Sequence, residues 1–229
     1  MGISSLTGLV IAIDGPSGSG KSSASKGVAR ALGLRYLDTG AMYRALTWWL
    51  MAQQADTGDP AQVAARAAEP AIEVSTDPDD PWTRVNGHDV SRDIRTPEVS
   101  AQVSTVARVQ RVRDHLIALQ RAVIAAAQPG IVAEGRDIGT VVAADAQLKV
   151  FLTADPGARA RRRAAELAAD AAETEAAQAR RDRLDAAQSE KAADALLIDA
   201  TDLSLDEVIG EITRLARERT LAGAGDKSS

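Results

Sequence analysis

The stretch LVIAIDGPSGSGKSSASKG, Leu9 to Gly27, holds the residues best suited to chemistry. Gly15, Gly20, Lys21 and Ser22 keep the spacing G-x-x-x-x-G-K-[ST], after an apolar run and at the head of a helix-forming segment. Glycines let successive backbone N–H groups converge on phosphate oxygens, and a helix N-terminus adds a favourable partial charge. Lys21 would reach the β/γ phosphates, and Ser22 would offer its hydroxyl to Mg²⁺. The ligand expected of Gly15, Pro16, Ser17, Gly18, Ser19, Gly20, Lys21, Ser22 and Ser23 is a nucleoside triphosphate. Two neighbouring motifs fail: a dinucleotide fingerprint begun at Gly18 needs Gly or Ala where Ser23 stands, and a nucleophile elbow around Ser17 fails at Ser19. A guanine-reading N-K-x-D is missing, and the apolar strand GIVAEGRD ends in Glu134 rather than Asp. Asp14, closing the first strand, is a second carboxylate within reach of the metal shell and a candidate there beside Ser22.

Such a loop must be carried by a strand and a helix. LVIAID, Leu9 to Asp14, reads as a buried strand, and Lys21 to Leu32 as a helix stopped at Gly33. Thr39 would cap the next helix, GAMYRALTWWLMAQQ, whose Trp48 and Trp49 read as packing residues. Further buried strands are expected at Gly130–Glu134, Leu148–Leu152 and Ala195–Asp199, and helical patterns at roughly 97–128 and from Pro156 to about Asp185. Ser204 and Glu207 have capping-box spacing for a last helix. Strands alternating with helices imply an α/β fold with a parallel sheet. From Ala71 to Val90, Asp-Pro, Asp-Asp-Pro and Asn-Gly turn signals break that rhythm and predict a small inserted antiparallel sheet.

The chain of 229 residues has no cysteine, which excludes disulfides, thiolate metal sites and a cysteine nucleophile, and suits a reducing compartment. The early apolar run is too short to span a membrane, and residues 1–7 lack a secretory pattern, so a cytoplasmic location is expected. A net charge of -5 argues against a general nucleic-acid binder, although the arginine-rich helix keeps that reading open for a salt-titrated RNA assay. His88 and His115 stand alone, without a ligand-spaced partner, and read as surface or packing residues.

The segments IDGPSGSGKSS, LDTGAMYRA, NGHDVSRDIRTPEVS, VRD and AEGRDIGTVV resemble, in order and spacing, the signature segments of bacterial cytidylate kinases. The resemblance spans nearly the whole chain and implies a P-loop nucleoside monophosphate kinase. Its expected form is a core of residues 1–68, 128–154 and 186–220, an inserted monophosphate-binding region at 69–127, a helical lid at 155–185 and a disordered tail at 221–229. It implies transfer of the γ-phosphoryl of ATP, with Mg²⁺, to CMP or dCMP by a monomer without nucleic-acid or membrane partners. Arg44 and Arg136 would grip the acceptor phosphate, since a guanidinium pairs bidentately with its oxygens. Thr39 and Tyr43 match positions lining the monophosphate pocket, and Arg181 and Asp185 match contacts to phosphate and ribose. Asp137 would read the cytosine amine, helped by Ser104 and Arg113.

DPGARARRRAAEL concentrates Arg159, Arg161, Arg162 and Arg163 and resembles the kinase lid; Arg159 and Arg163, one turn apart, are the expected active pair. The family usually has a further Arg where Gln188 stands, and Lys191 is a candidate to replace it. Two rivals remain open: a small P-loop kinase for UMP or a non-nucleotide acceptor, and an ATP-binding regulatory module without turnover.

Overall fold

A computed structural model describes residue 6 and residues 8–167, 171–185 and 189–225. In chain order the elements are β1 (Leu9–Asp14), α1 (Lys21–Leu32), β2 (Arg35–Asp38), α2 (Thr39–Ala52), α3 (Pro60–Arg66), β3 (Ile72–Val74), β4 (Thr83–Val85), β5 (His88–Asp89), a 3₁₀ turn (Asp93–Arg95), α4 (Pro97–Ala107), α5 (Gln110–Ala126), β6 (Gly130–Gly135), a π-turn (Ile138–Val142), β7 (Leu148–Thr153), α6 (Pro156–Leu167), α7 (Ala171–Asp185), β8 (Leu196–Asp199) and α8 (Leu205–Gly225). They form two compact units, Met1–Tyr36 with Ala127–Ser229, and Leu37–Ala126. Among the described residues no helix is long and apolar enough to cross a membrane.

The first unit is built on a sheet of order β2-β6-β1-β7-β8. β1 pairs in parallel with β6 and β7, and β7 with β8. Because β1 lies between two strands and both its faces are covered, Ile11, Ala12 and Ile13 have no exposure. That explains a continuous apolar run in place of alternation. Register sets Asp14 beside Gly135 and Phe151, so the ends of the neighbouring strands β1, β6 and β7 open at one edge. Parallel α/β sheets bind ligands at that carboxyl edge.

α1 and α8 cover the sheet with Val28, Ala29, Ile212 and Ala216, all buried. α1 stops at Gly33, whose φ of 64 favours a residue free of Cβ strain. Its N–H reaches the Arg30 carbonyl at 3.2 Å while Leu34 N–H reaches that of Ala29 at 2.8 Å, closing the helix. The expected capping box forms: Ser204 N–H donates to Glu207 Oε2 at 2.8 Å, and Glu207 N–H to Ser204 Oγ at 3.3 Å. α8 then runs to Gly225, so helix covers residues 221–225 of the expected tail, and 226–229 lie outside the described residues. β2 was not predicted, because RYLD is too short to show a period, and pairing beside β6 decides its state.

In the second unit the turn signals hold: β3, β4 and β5 form an antiparallel sheet. Asn86 and Gly87, with φ of 50 and 82, supply the paired left-handed residues of a tight hairpin. The expected cap of α2 shifts by one residue. Asp38, not Thr39, accepts from Ala41 N–H, at 2.9 Å, because its extended backbone places the carboxylate over the first turn. Trp49 is buried under the Arg66 guanidinium at 4.8 Å, while Trp48 is half-buried. α3, also not predicted, is announced by Asp59 as cap and Pro60 in the first turn. The helical stretch near 97–128 resolves into α4 and α5, and Thr96 caps the first. This unit begins at Leu37, well before position 69, because α2 packs against the antiparallel sheet and α4.

Candidate active site

The phosphate loop is shaped by glycines at positive φ. Gly15 has φ 150, and a Cβ there would run into the Leu152 carbonyl of β7. Gly18 has φ 75, and its missing Cβ leaves room for the Arg159 carbonyl and the Gln178 side chain. Gly20 occupies the N-cap of α1 with φ 92, no side chain caps that end, and no acidic residue stands in the first turn. The first amides and the dipole of a twelve-residue helix are thus left for an anion. Lys21 Nζ folds back to the Pro16 carbonyl at 2.7 Å, and the Ser19 hydroxyl is buried with no hydrogen-bond partner among the described residues.

Two carboxylates close the strand ends beside this loop. Glu134, at the end of β6, accepts from Ser22 Oγ at 3.0 Å and, on its other oxygen, from the Tyr36 hydroxyl. Tyr36 is buried, with Lys26 Nζ over its ring at 5.6 Å. Asp14, considered above for the metal shell, uses its oxygens differently: Oδ1 and Oδ2 accept from the amides of Ile138 and Gly139, each at 2.8 Å. Burial pushes the Asp14 carboxyl up, the two amides pull it back, and Asp137 nearby raises it again. Asp14 therefore pins the backbone that follows Asp137, and Glu134 is the carboxylate beside the Ser22 hydroxyl. Asp137 is buried, with its carbonyl accepting from Val141 and Val142 N–H at 2.9 and 3.2 Å, which fixes it at the head of the π-turn. Among the described residues no group of three or more His, Cys, Asp or Glu side chains is placed to hold a metal unaided.

Two of the expected arginines meet at the loop. Arg136 donates from Nη1 to the Gly15 carbonyl at 3.2 Å and pairs through Nη2 with Asp185 at 2.8 Å. Arg159 donates to the Ser17 carbonyl at 3.0 Å, to Ala154 at 3.2 Å and to Asp182 at 2.5 Å. The structure thus joins the P-loop, Arg136, Arg159 and Asp185, and adds Glu134 and Asp182, which sequence reasoning did not select. Asp182 was detectable only as the residue one turn from Asp185 on one helix face. Arg162 is structural, holding the Ala200 and Leu203 carbonyls at 2.5 and 3.4 Å. The side chains of Arg163 and Arg181, and all of Gln188, lie outside the described residues. Lys191 is engaged locally with the carbonyls of Ala192 and Ala195 at 3.4 and 3.2 Å, because its backbone turns directly into β8.

The second unit carries Thr39, Tyr43 and Arg44 on the first turns of α2, Ser104 on α4 and Arg113 on the first turn of α5. Thr39 and Ser104 are buried. Arg44 is also buried, and its Nη1 donates to the Ile94 carbonyl at 3.1 Å and to Ser100 Oγ at 2.8 Å. Those acceptors hold the guanidinium in one orientation, a precondition for bidentate phosphate recognition. Ser100 was missed because a lone helix serine carries no sequence signal. Arg95 pairs with Asp38 at 3.3 Å, joining the 3₁₀ turn to the cap of α2.

Comparisons with known proteins identify the family. A family model described as cytidylate kinase matches residues 11–218. A cytidylate kinase of Streptomyces griseus is 49% identical over 219 residues, covering 93% of this chain and 95% of that protein. One from Streptomyces coelicolor is 51% identical over 216 residues, covering 92% and 94%. A crystal structure of an uncharacterized protein from Eubacterium ventriosum shares the fold at TM-score 0.52 and 13% identity, covering 91% of this chain and 98% of that one. Phosphate loop, strand-end carboxylates and converging arginines accompany a match across almost all of the sequence, and the chain belongs to the cytidylate kinase family.

Proposed function

We propose that this chain transfers the γ-phosphoryl of ATP to CMP or dCMP, giving ADP and CDP or dCDP. One observation carries the reading beyond a generic phosphate loop. Arg136, the candidate for gripping the acceptor phosphate, bonds to the loop carbonyl of Gly15, and Asp14 captures the amides of Ile138 and Gly139 that follow its neighbour Asp137. These contacts support a charge clamp and a base-reading carboxylate beside the donor loop.

The acceptor is itself a phosphate anion, so no strong general base is needed, and catalysis reduces to positioning and charge stabilisation. Backbone amides at the head of α1, with Lys21, would hold the donor phosphates. Arg136 and Arg159, with Arg163, would offset charge on the transferred group. Thr39, Tyr43 and Arg44 would hold the acceptor phosphate, assisted by Arg181, and Asp185 would take the ribose. Asp137 would accept from the cytosine amine, with Ser104 and Arg113 completing base recognition. Uracil presents an acceptor to Asp137, a desolvated mismatch worth more discrimination than a missing methyl. Ser22 Oγ and Glu134 form a set of hard oxygen donors that suits Mg²⁺, which takes few protein ligands beside phosphate oxygens. When bound, the ion would neutralise β- and γ-phosphate charge. The reading includes a monomer, and a cytoplasmic location because both nucleotides are intracellular metabolites.

The test is an acceptor panel with ATP and Mg²⁺. CMP and dCMP are expected to be preferred over UMP, AMP and GMP. Preference for UMP would overturn the base assignment, and tight ATP binding without turnover on any monophosphate would mark a regulatory module instead.

A further inference from the structure

Helix α7 presents Gln178, Asp182 and Asp185, each about one turn from the next, on a single face. Gln178 is 6% exposed, lies against Gly18 of the phosphate loop and donates to the Arg159 carbonyl at 3.4 Å. Asp182 stands between two guanidinium groups: Oδ2 is 2.5 Å from Arg159 Nη1, and Oδ1 is 3.8 Å from Arg136 Nη1. In each of those arginines the same Nη1 also donates to a loop carbonyl, that of Ser17 for Arg159 and that of Gly15 for Arg136. Main-chain carbonyls supply direction but little charge, and two cations brought together beside Lys21 repel one another. An anion held between them offsets that repulsion and lets both converge on the loop. The carboxylate occupies only part of the Arg159 fork. Arg159 Nη2 donates to no protein group among the described residues.

We infer that Asp182 is a positioning residue for phosphoryl transfer, holding Arg159 and Arg136 together at the phosphate loop while leaving the outer edge of Arg159 for the transferred phosphoryl. The inference rests on the function proposed above. Asp182 acts through the arginines and need not touch a nucleotide, so its removal changes the geometry of charge stabilisation more than substrate binding.

The experiment is a double-mutant cycle on the full chain with Asp182→Asn, Asp182→Glu, Arg159→Ala and the Asp182→Asn/Arg159→Ala pair, with thermal melts to verify folding. Asp182→Asn keeps the shape and removes the charge. It is expected to lower kcat on ATP and CMP by roughly 10- to 100-fold while KM for both substrates stays within about threefold, the signature of an interaction made in the transition state. Asp182→Glu, which keeps the charge, is expected to recover part of the loss. With Arg159 already removed, Asp182→Asn should cost little more, because residues acting as a unit are not additive. Full turnover of Asp182→Asn, losses that multiply in the double variant, or a change confined to KM would each overturn the inference. The wild-type control separates the two readings: no activity on CMP sinks the proposed function. The same cycle is then read on ATP hydrolysis without acceptor, where coupling of positions 182 and 159 is still expected and its absence overturns the positioning role.

Discussion

Ser22 Oγ donates to Glu134 Oε2 at 3.0 Å, tying the first turn of α1 to the end of β6. The hydroxyl comes from the phosphate loop and the carboxylate from the strand beside β1, so the contact exists only because β6 is the parallel neighbour of β1. Tyr36 holds the other carboxylate oxygen and leaves Glu134 little freedom to turn. The Glu134 carboxyl is therefore held in one orientation beside Ser22, as electrostatic preorganisation requires.

Glu134→Gln keeps the shape and removes the charge. It is expected to raise the Mg²⁺ concentration needed for half-maximal turnover and to lower kcat by about 100-fold, comparable to losing one preorganised partner. A Mg²⁺ titration of steady-state turnover checks this, and an unshifted midpoint would remove Glu134 from the metal's surroundings.

Lys21→Ala should slow transfer by about 100- to 1000-fold, again the scale of one preorganised charge donor. Rapid-quench measurement of CDP formation reads it, and unchanged turnover would contradict the role given to Lys21.

Asp137→Ala is expected to damage use of CMP by two or more orders of magnitude, roughly the scale of a lost buried polar contact, and to leave basal ATP hydrolysis nearly intact. Both rates come from one coupled assay run with and without acceptor. Equal losses in the two would show that Asp137 supports the fold or the donor site, not the base.

Gly15→Ala and Gly20→Ala separate crowding from backbone strain. At Gly20 no atom lies within 4 Å of an added Cβ, so only the positive φ opposes it, and a loss of about 1 kcal/mol is expected. At Gly15 the Leu152 carbonyl blocks the added atom, and strain plus displacement of β7 should bring the loss to about 3 kcal/mol. Urea denaturation of both variants measures the difference, and equal losses would mean that the loop yields to the added methyl.

The capping box of α8 should give an acid-sensitive contribution to stability. Hydrogen bonds from the Ser204 hydroxyl and amide hold the Glu207 carboxyl below its ordinary value. Its folded pKa is depressed, so the contribution is fully present above the unfolded value and is lost as pH falls through the folded one. Glu207→Gln should therefore melt at a lower temperature than wild type at pH 7, and the gap should shrink toward pH 3. A gap independent of pH would assign the effect to packing.

What was legible in the sequence is what depends on neighbours along the chain. Gly15, Gly20, Lys21 and Ser22 declare a phosphate loop because their spacing alone folds the backbone around an anion, and Asn86-Gly87 and Ser204 with Glu207 declare a hairpin and a helix start for the same local reason. The order of signature segments, read together, indicated the family. Relationships across long separations were not legible. Asp14 was a candidate for the metal shell from its place at a strand end, and only the fold shows that its oxygens each accept from an amide more than 120 positions away, as the separations of 124 and 125 for Ile138 and Gly139 record. Glu134 became the partner of Ser22 through the pairing of β6 with β1, and Asp182 met Arg159 and Arg136 only because α7 packs on the phosphate loop. Local backbone chemistry determines which ligand the loop can cradle, while the charges that surround it depend on strand order and helix packing, which no run of residues encodes by itself.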